Sequence, residues 1–349
     1  MNRQFYLDLA AQGLRMPIGT HLVLHTKPDH QAILFDGARL GDVAVEAARQ
    51  FRTPLAVPLM DLAIEKAMLM GLLNVPEAEV ETFHFSQRPE SGLAQRVARF
   101  DTLLNVRANV TCAAIQRVAR TTDLTPLGMS IGPFSLMTKL VSDAISPVYM
   151  AGTGLTAADD PEVAAVEDLI EAGTEVILRY HAAQAAAGAK AIIVCEPAAN
   201  TAFFSPRQLA ESHEVFDRYV MEPNRRLKRQ LDRLGVDLIF HDCGELTNDL
   251  VRRFATLDPV MLSLGSSRAL WDDAALLPKE VVLYGNLPSK KFYSDDVITR
   301  QQVAELASEL VRRMKAARHP FILGSECDVL CVPGCEDGIR GKVDAFMQA

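Results

Sequence analysis

The sequence predicts an α/β fold, specifically a (β/α)8 TIM barrel built as one domain over residues 1–349. Eight short apolar runs recur along the chain, segments of helical period separate them, and most runs are apolar throughout rather than alternating. Parallel strands covered on both faces read as continuous apolar runs, and strands that alternate with helices build βα units. The length exceeds the usual single domain but is ordinary for an α/β barrel. A doubly wound open sheet is the alternative, because a strand count does not establish closure.

The first run is IGTHLVLH (18–25), and the helix-like YLDLAAQ before it is expected to cap the barrel floor. DVAVEAARQF carries a helical period into PLAVPLM (54–60), and SGLAQRVARFDTLLNV carries one into PLGMSI (126–131). PEVAAVEDLIEAGTEVILRYHAAQAAAG then leads to AIIVCE (191–196), and FDRYVMEPNRRLKRQLDRLG to DLIFH (237–241). VMLSLG (260–265) and VVLYGN (281–286) follow, and RQQVAELASELVRRMKAARH precedes FILGS (321–325). Glycine and His-Pro close two of these helical segments, as helix stop signals do. No repeat, low-complexity tract or linker divides the chain.

Composition narrows the function classes. With 49% hydrophobic and 23% charged residues, a large core is expected and wholesale disorder is not. A net charge of −8 without a basic stripe argues against nucleic acid or an anionic membrane as partner. The N-terminus has no apolar core with a cleavage site, and the apolar runs stay below the roughly 18 residues of a membrane helix. A cytoplasmic location is therefore expected. There the six cysteines are thiols or metal ligands rather than disulfides, with Cys112 as a small buried hydrophobe.

In a barrel the C-terminal ends of the strands face the active-site mouth. Those ends offer His21 and His25, Asp61 with Glu65 beyond it, Cys195 and Glu196, His241 and Cys243, Asn286, and Glu326 with Cys327. Thiol, imidazole and carboxylate are the ligands of zinc. His241 and Cys243 stand at i and i+2, which on an extended segment places both side chains on one side. Cys327 is too distant in sequence for a local finger, but strands five and eight can face each other across a mouth. Three protein ligands with an open fourth position is the catalytic arrangement of zinc. GSECDVLCVPGCEDG also holds Cys331 and Cys335, at spacings that match neither ferredoxin run. They are loop thiols or auxiliary ligands, and recruiting one would close the site.

The same residues resemble the uroporphyrinogen decarboxylase superfamily over nearly the whole chain. PLMDLAIEKAMLMG (58–71) resembles its D-L-x-x-E-A segment, and PLGMSIGPFSLMTKL (126–140) its G-x-x-x-G-P-F-T/S-L segment. AAGAKAIIVCEP (186–197) is similar to its fourth strand, and FSPRQLAESHEVF with MEPNRRLKRQL to its S-P-x-x-F…P helix. HDCGE resembles the H-x-C-G motif, LYGNLP the G-N-x-x-P strand, and FILGSECDV a last strand carrying a distal cysteine. That cysteine and H-x-C resemble the zinc-dependent branch of corrinoid methyltransferases, the group of the methylcobamide:coenzyme M methyltransferases. The decarboxylases open instead on an R-Q-A-G-R loop. Here the corresponding IGTHLVLHTKPDH has Lys27 but no arginine pair to clamp a polyanionic tetrapyrrole.

The resemblance implies zinc on His241, Cys243 and Cys327, and methyl transfer between a methylated corrinoid (cobamide) and a small thiol or tetrahydrofolate. A corrinoid protein is the implied partner. Glu196 either holds the fourth zinc position until substrate arrives or takes the substrate's proton, with Glu65 as second choice. For both, an ion pair at the rim is the plain alternative. Asn286 either orients substrate or a group behind the ligands, or bonds backbone. A decarboxylase-like enzyme for another substrate and a non-catalytic zinc- or corrinoid-binding barrel are the other readings.

Overall fold

The computed structural model describes residues 2–349. Its strands are β1 (Arg15–Ile18), β2 (Leu55–Ala56), β3 (Thr125–Ile131), β4 (Ala191–Cys195), β5 (Asp237–Asp242), β6 (Met261–Leu264), β7 (Val282–Leu287) and β8 (Phe321–Asp328). They form an eight-stranded sheet in the order β1-β8-β7-β6-β5-β4-β3-β2. Every neighbouring pair is parallel. The sheet is curled and ringed by helices, an α/β, barrel-like fold. Its two ends meet through side chains: Thr20 Oγ1 donates to Val57 O at 2.7 Å, and Thr53 Oγ1 to Met16 Sδ at 3.4 Å.

All eight strands contribute to one interior cluster. Met16, Leu55, Met129, Ile193, Ile239, Met261, Tyr284 and Ile322 are among its members. A second, larger cluster lies between the sheet and the surrounding helices. The helix Arg3–Ala11 covers the floor as expected. Its Tyr6 and Leu9 join the interior cluster, and Tyr6 Oη donates to Asp237 Oδ2 at the start of β5. Among the described residues no helix is long and apolar enough to cross a membrane.

The first strand differs from the sequence expectation. Residues 20–24 are a short helix, and the strand lies earlier, at Arg15–Ile18. Leu22, Val23 and Leu24 are all buried. A short apolar run buried on every side carries no period that separates strand from helix.

Two irregularities shape the mouth. First, β2 is only two residues long, so β3 lacks a strand partner beyond Pro126 on its β2 side. Side chains complete that edge, as buried backbone groups require. The Gln184 amide donates to Met129 O at 3.0 Å and accepts from Met129 N at 2.9 Å. Glu65 Oε1 accepts from Ile131 N at 3.1 Å. Second, the β1–β8 register shifts between Met16↔Gly324 and Ile18↔Asp328. Extra residues on β8 bulge there, and bulges beside active sites re-aim side chains. Ser325 Oγ fills the break by accepting from Ile18 N at 2.9 Å, while Glu326 and Cys327 run past the ladder.

The interior is tight at Gly324. A Cβ there would overlap the ring of buried Tyr284, whose hydroxyl donates to Met16 O at 2.9 Å. Gly324→Ala is expected to cost about 1–3 kcal/mol, as overpacking does, read as a lower midpoint in urea unfolding. An unchanged midpoint contradicts this packing.

Candidate metal centre

The end of β5 and the end of β8 bring three ligands together. One donor atom each from His241, Cys243 and Cys327 lies within 4.8 Å of the others. His241 is inside the ladder, paired with Cys195 on β4 and Ser263 on β6. Its Nδ1 lies 2.8 Å from Ser263 Oγ, which leaves Nε2 for the cluster. With Nε2 ligating a metal and hence unprotonated, Nδ1 would carry the hydrogen and donate it to Ser263. Cys243 follows one residue past the strand. Cys327 lies beside Met60, with Sγ 3.9 Å from the thioether sulfur.

The loop after β6 is the backing of this site. A Cβ on Gly265 would come within 2.8 Å of the Cys243 backbone, so only glycine lets the two segments lie this close. Asn286 Nδ2 donates to Gly265 O at 2.8 Å and Arg268 O at 2.7 Å. Glu326 Oε2 accepts from Ser266 N at 2.9 Å. The strand-end asparagine therefore bonds backbone, and through it holds the loop behind Cys243.

Electrostatics favour one thiolate in the pair of sulfurs. The Cys327 thiol, helped by His241 and the Lys290 ammonium and opposed by burial, holds Cys243 far below the ordinary thiol range. Cys327 is pushed up by sharing that hydrogen bond and by burial. Lys290 Nζ lies 3.2 Å from Cys243 Sγ. Two thiols and an imidazole are a donor set suited to zinc, which takes sulfur at about 2.3 Å and nitrogen at about 2.0–2.1 Å. One ion fits inside the spread of these atoms, and it would displace the proton the sulfurs share.

The two glutamates stand elsewhere. Glu196 is fully buried: Oε2 accepts from Ser135 N at 2.9 Å, and Oε1 from Phe134 N at 3.2 Å and Asn224 Nδ2 at 2.8 Å. It caps the helix Pro133–Thr138, and Gly132 leaves the space its carboxyl fills. Burial raises its pKa against those hydrogen bonds. Glu65 is likewise fully buried, on the helix Ile64–Leu72 behind β3, and burial pushes its carboxyl up to about 8. Neither belongs to the ligand cluster among the described residues, and neither makes the rim ion pair considered for it. Asp61 does pair, with Arg107 at 3.1 Å. Cys331 lies beside the β1 loop, where its N–H donates to His21 Nδ1 at 3.0 Å. It and Cys335 stand outside the cluster.

Sequence reasoning missed Ser263 and Lys290. Ser263 is recoverable from strand logic, since it lies at the end of VMLSLG beside DLIFH. Lys290 has no such signal in LPSKKF.

Residues 23–335 match the family model described as uroporphyrinogen decarboxylase (URO-D). No curated protein matches the sequence. Among solved structures, a methyltransferase from Methanosarcina mazei aligns over 100% of this chain and 99% of its own, at 15% identity and a TM-score of 0.69. A likeness at this identity is one of fold. The apo form of 3-keto-D-glucoside 4-epimerase, YcjR, from E. coli aligns over 76% of this chain and 97% of its own at 14% identity, with a TM-score of 0.39 that carries no argument.

Ser263→Ala leaves His241 Nδ1 without its partner and is expected to weaken zinc binding about 10- to 100-fold. Competition with a chromophoric chelator measures this, and unchanged affinity removes Ser263 from the site. Glu65 gives a pH signature. Its folded pKa of about 8 lies above the ordinary 4.5, so its contribution to stability is complete below about 4.5 and lost as pH rises through about 8. Glu65→Gln should therefore gain stability relative to wild type on the alkaline side. Urea midpoints of both proteins at acid and alkaline pH test this; a constant difference contradicts a raised Glu65.

Proposed function

The chain belongs to the uroporphyrinogen decarboxylase family, and from that premise we propose a zinc-dependent methyltransferase that uses a methylated corrinoid. The methyl group passes to a small thiol or to tetrahydrofolate. The observation that carries this reading is the convergence of His241, Cys243 and Cys327 at the ends of β5 and β8. The reading takes the curled sheet as a closed (β/α)8 barrel in one domain. It also takes the enzyme as cytoplasmic, in keeping with six free cysteines.

His241, Cys243 and Cys327 would hold the ion. Zinc, when bound, supplies a Lewis acid that favours the thiolate of an incoming thiol. Ser263 fixes the His241 tautomer, and the loop tied by Asn286 and Glu326 sets the position of Cys243. Glu196 and Glu65 enter as positioning groups, because both carboxylate oxygens of Glu196 and one of Glu65 accept backbone N–H groups of the β3 edge and the helix beyond it. In the transfer, the acceptor sulfur as thiolate, or the acceptor nitrogen with its proton released to solvent, would form a bond to the methyl carbon as the cobalt–carbon bond broke, its electron pair remaining on cobalt. A corrinoid protein would present that methyl group at the mouth.

A decarboxylase for another substrate makes no use of two thiols and an imidazole in one cluster. A closed structural site would recruit Cys331 or Cys335, but among the described residues neither joins the cluster of His241, Cys243 and Cys327.

Zinc-loaded protein is expected to demethylate methylcobalamin in the presence of a suitable thiol or tetrahydrofolate. Cys327→Ala should lower the rate more than about 100-fold with loss of metal, since two protein ligands do not hold catalytic zinc. Activity that survives in Cys327→Ala overturns the assignment. So does inactivity with a panel of thiols, with tetrahydrofolate and with the host's corrinoid proteins.

A further inference from the structure

Methyl transfer to sulfur poses a problem of selectivity. The proposed site gathers two protein sulfurs and one acceptor sulfur within reach of the same methyl group. Methylation of Cys243 would form a thioether that no longer carries charge, and the ligand would be lost. The structure shows a difference among these sulfurs that bears on the outcome.

Lys290 lies on the turn Ser289–Lys291 that follows β7. Ser289 Oγ donates to Cys327 O at 3.1 Å, which anchors this turn to the strand bearing the other ligand. The Lys290 ammonium lies 3.2 Å from Cys243 Sγ, and among the described residues it makes no ion pair with a carboxylate. Glu326, the acid that acts on it through space, has Oε2 on Ser266 N. Lys290 is thus a donor committed to one sulfur. Among the described residues the Cys327 sulfur accepts from no such cation, and it lies 3.9 Å from the Met60 thioether.

A hydrogen bond from a cation to a thiolate is charge-assisted and withdraws electron density from sulfur. The nucleophilicity of a sulfur falls as its basicity falls. Resting on the methyltransferase reading above, we infer that Lys290 is a positioning residue that makes Cys243 a spectator, so that the methyl group goes to the acceptor and not to the ligand. The reaction it suppresses is attack of the Cys243 thiolate on the methyl carbon. A sulfur–carbon bond would form while the bond from carbon to its leaving group breaks, the electron pair departing with that group.

The test uses methyl iodide, so it needs no corrinoid. Zinc-loaded wild type, Lys290→Met and Lys290→Arg are treated with limiting reagent, and S-methylation at Cys243 and Cys327 is mapped by mass spectrometry. Lys290→Met should keep its zinc and methylate at Cys243 about tenfold faster, the scale set by one hydrogen bond to a charged group. Lys290→Arg retains a donor and should remain near wild type. With cobalt(II) in place of zinc, the sulfur-to-cobalt charge-transfer band should move to lower energy in Lys290→Met and stay in Lys290→Arg. Unchanged Cys243 methylation in Lys290→Met, or equal behaviour of the two variants, overturns the inference while leaving the metal centre intact. A chain that takes up no zinc at all overturns the metal reading, and this inference with it.

Discussion

The register that joins β4, β5 and β6 is the constraint on which the centre depends. In these ladders Ile193, Ile239 and Met261 turn into the interior, and two residues later Cys195, His241 and Ser263 stand side by side. Phe240, between Ile239 and His241, turns outward and packs on Phe254 at a ring separation of 4.8 Å. A slip of one residue would exchange these faces, placing His241 among the helices and Phe240 in the interior. The burial of apolar side chains that stabilises the sheet therefore also aims the imidazole. No separate device is needed for the first ligand, and the second follows two residues later in the same strand direction. The third needs the bulge in β8, where the chain leaves the ladder before Cys327.

Around this frame the buried carboxylates serve the backbone. Glu65 takes Ile131 N, Glu196 takes Phe134 N and Ser135 N, Asp242 takes Gly244 N at 2.7 Å, and Glu326 takes Ser266 N. Each bond satisfies an N–H where a strand has ended or lost its neighbour, a group that is costly to leave unpaired once buried. Burial raises the pKa of Glu65, Glu196 and Asp242. These carboxyls are held as structural groups, which leaves the sulfurs as the partners of Lys290.

Much of this was legible from residues alone, for definite reasons. Six of the runs became β3 to β8 because strands buried on both faces leave little ambiguity between turn signals. HLVLH misled because its burial, not its period, makes it apolar, and the strand RMPI before it has an arginine at its head. The convergence of His241, Cys243 and Cys327 was legible because strand ends converge in an α/β sheet and H-x-C on an extended segment faces one way. The glutamates were misplaced by the same logic: a strand-end acid aims at the mouth or behind the strand, and only the two-residue length of β2 reveals what Glu65 must cap. Asn286 admitted two readings, and its Nδ2 bonds two backbone carbonyls of the loop behind Cys243. Lys290 is one of 36 cationic residues, and nothing in its neighbours marks it.

Charge adds a last constraint on the centre within the proposed reading. Two thiolates and a neutral imidazole around a divalent ion would sum to zero, and the Lys290 ammonium beside Cys243 adds one positive charge. Glu326 acts on that ammonium through space, and accepting Ser266 N leaves its carboxylate charged, so the two offset each other. The centre would then stand near neutral before an acceptor arrives, which lowers the cost of burying it between strand ends. The same contact that sets Cys243 apart as a ligand therefore also belongs to the charge balance of the site.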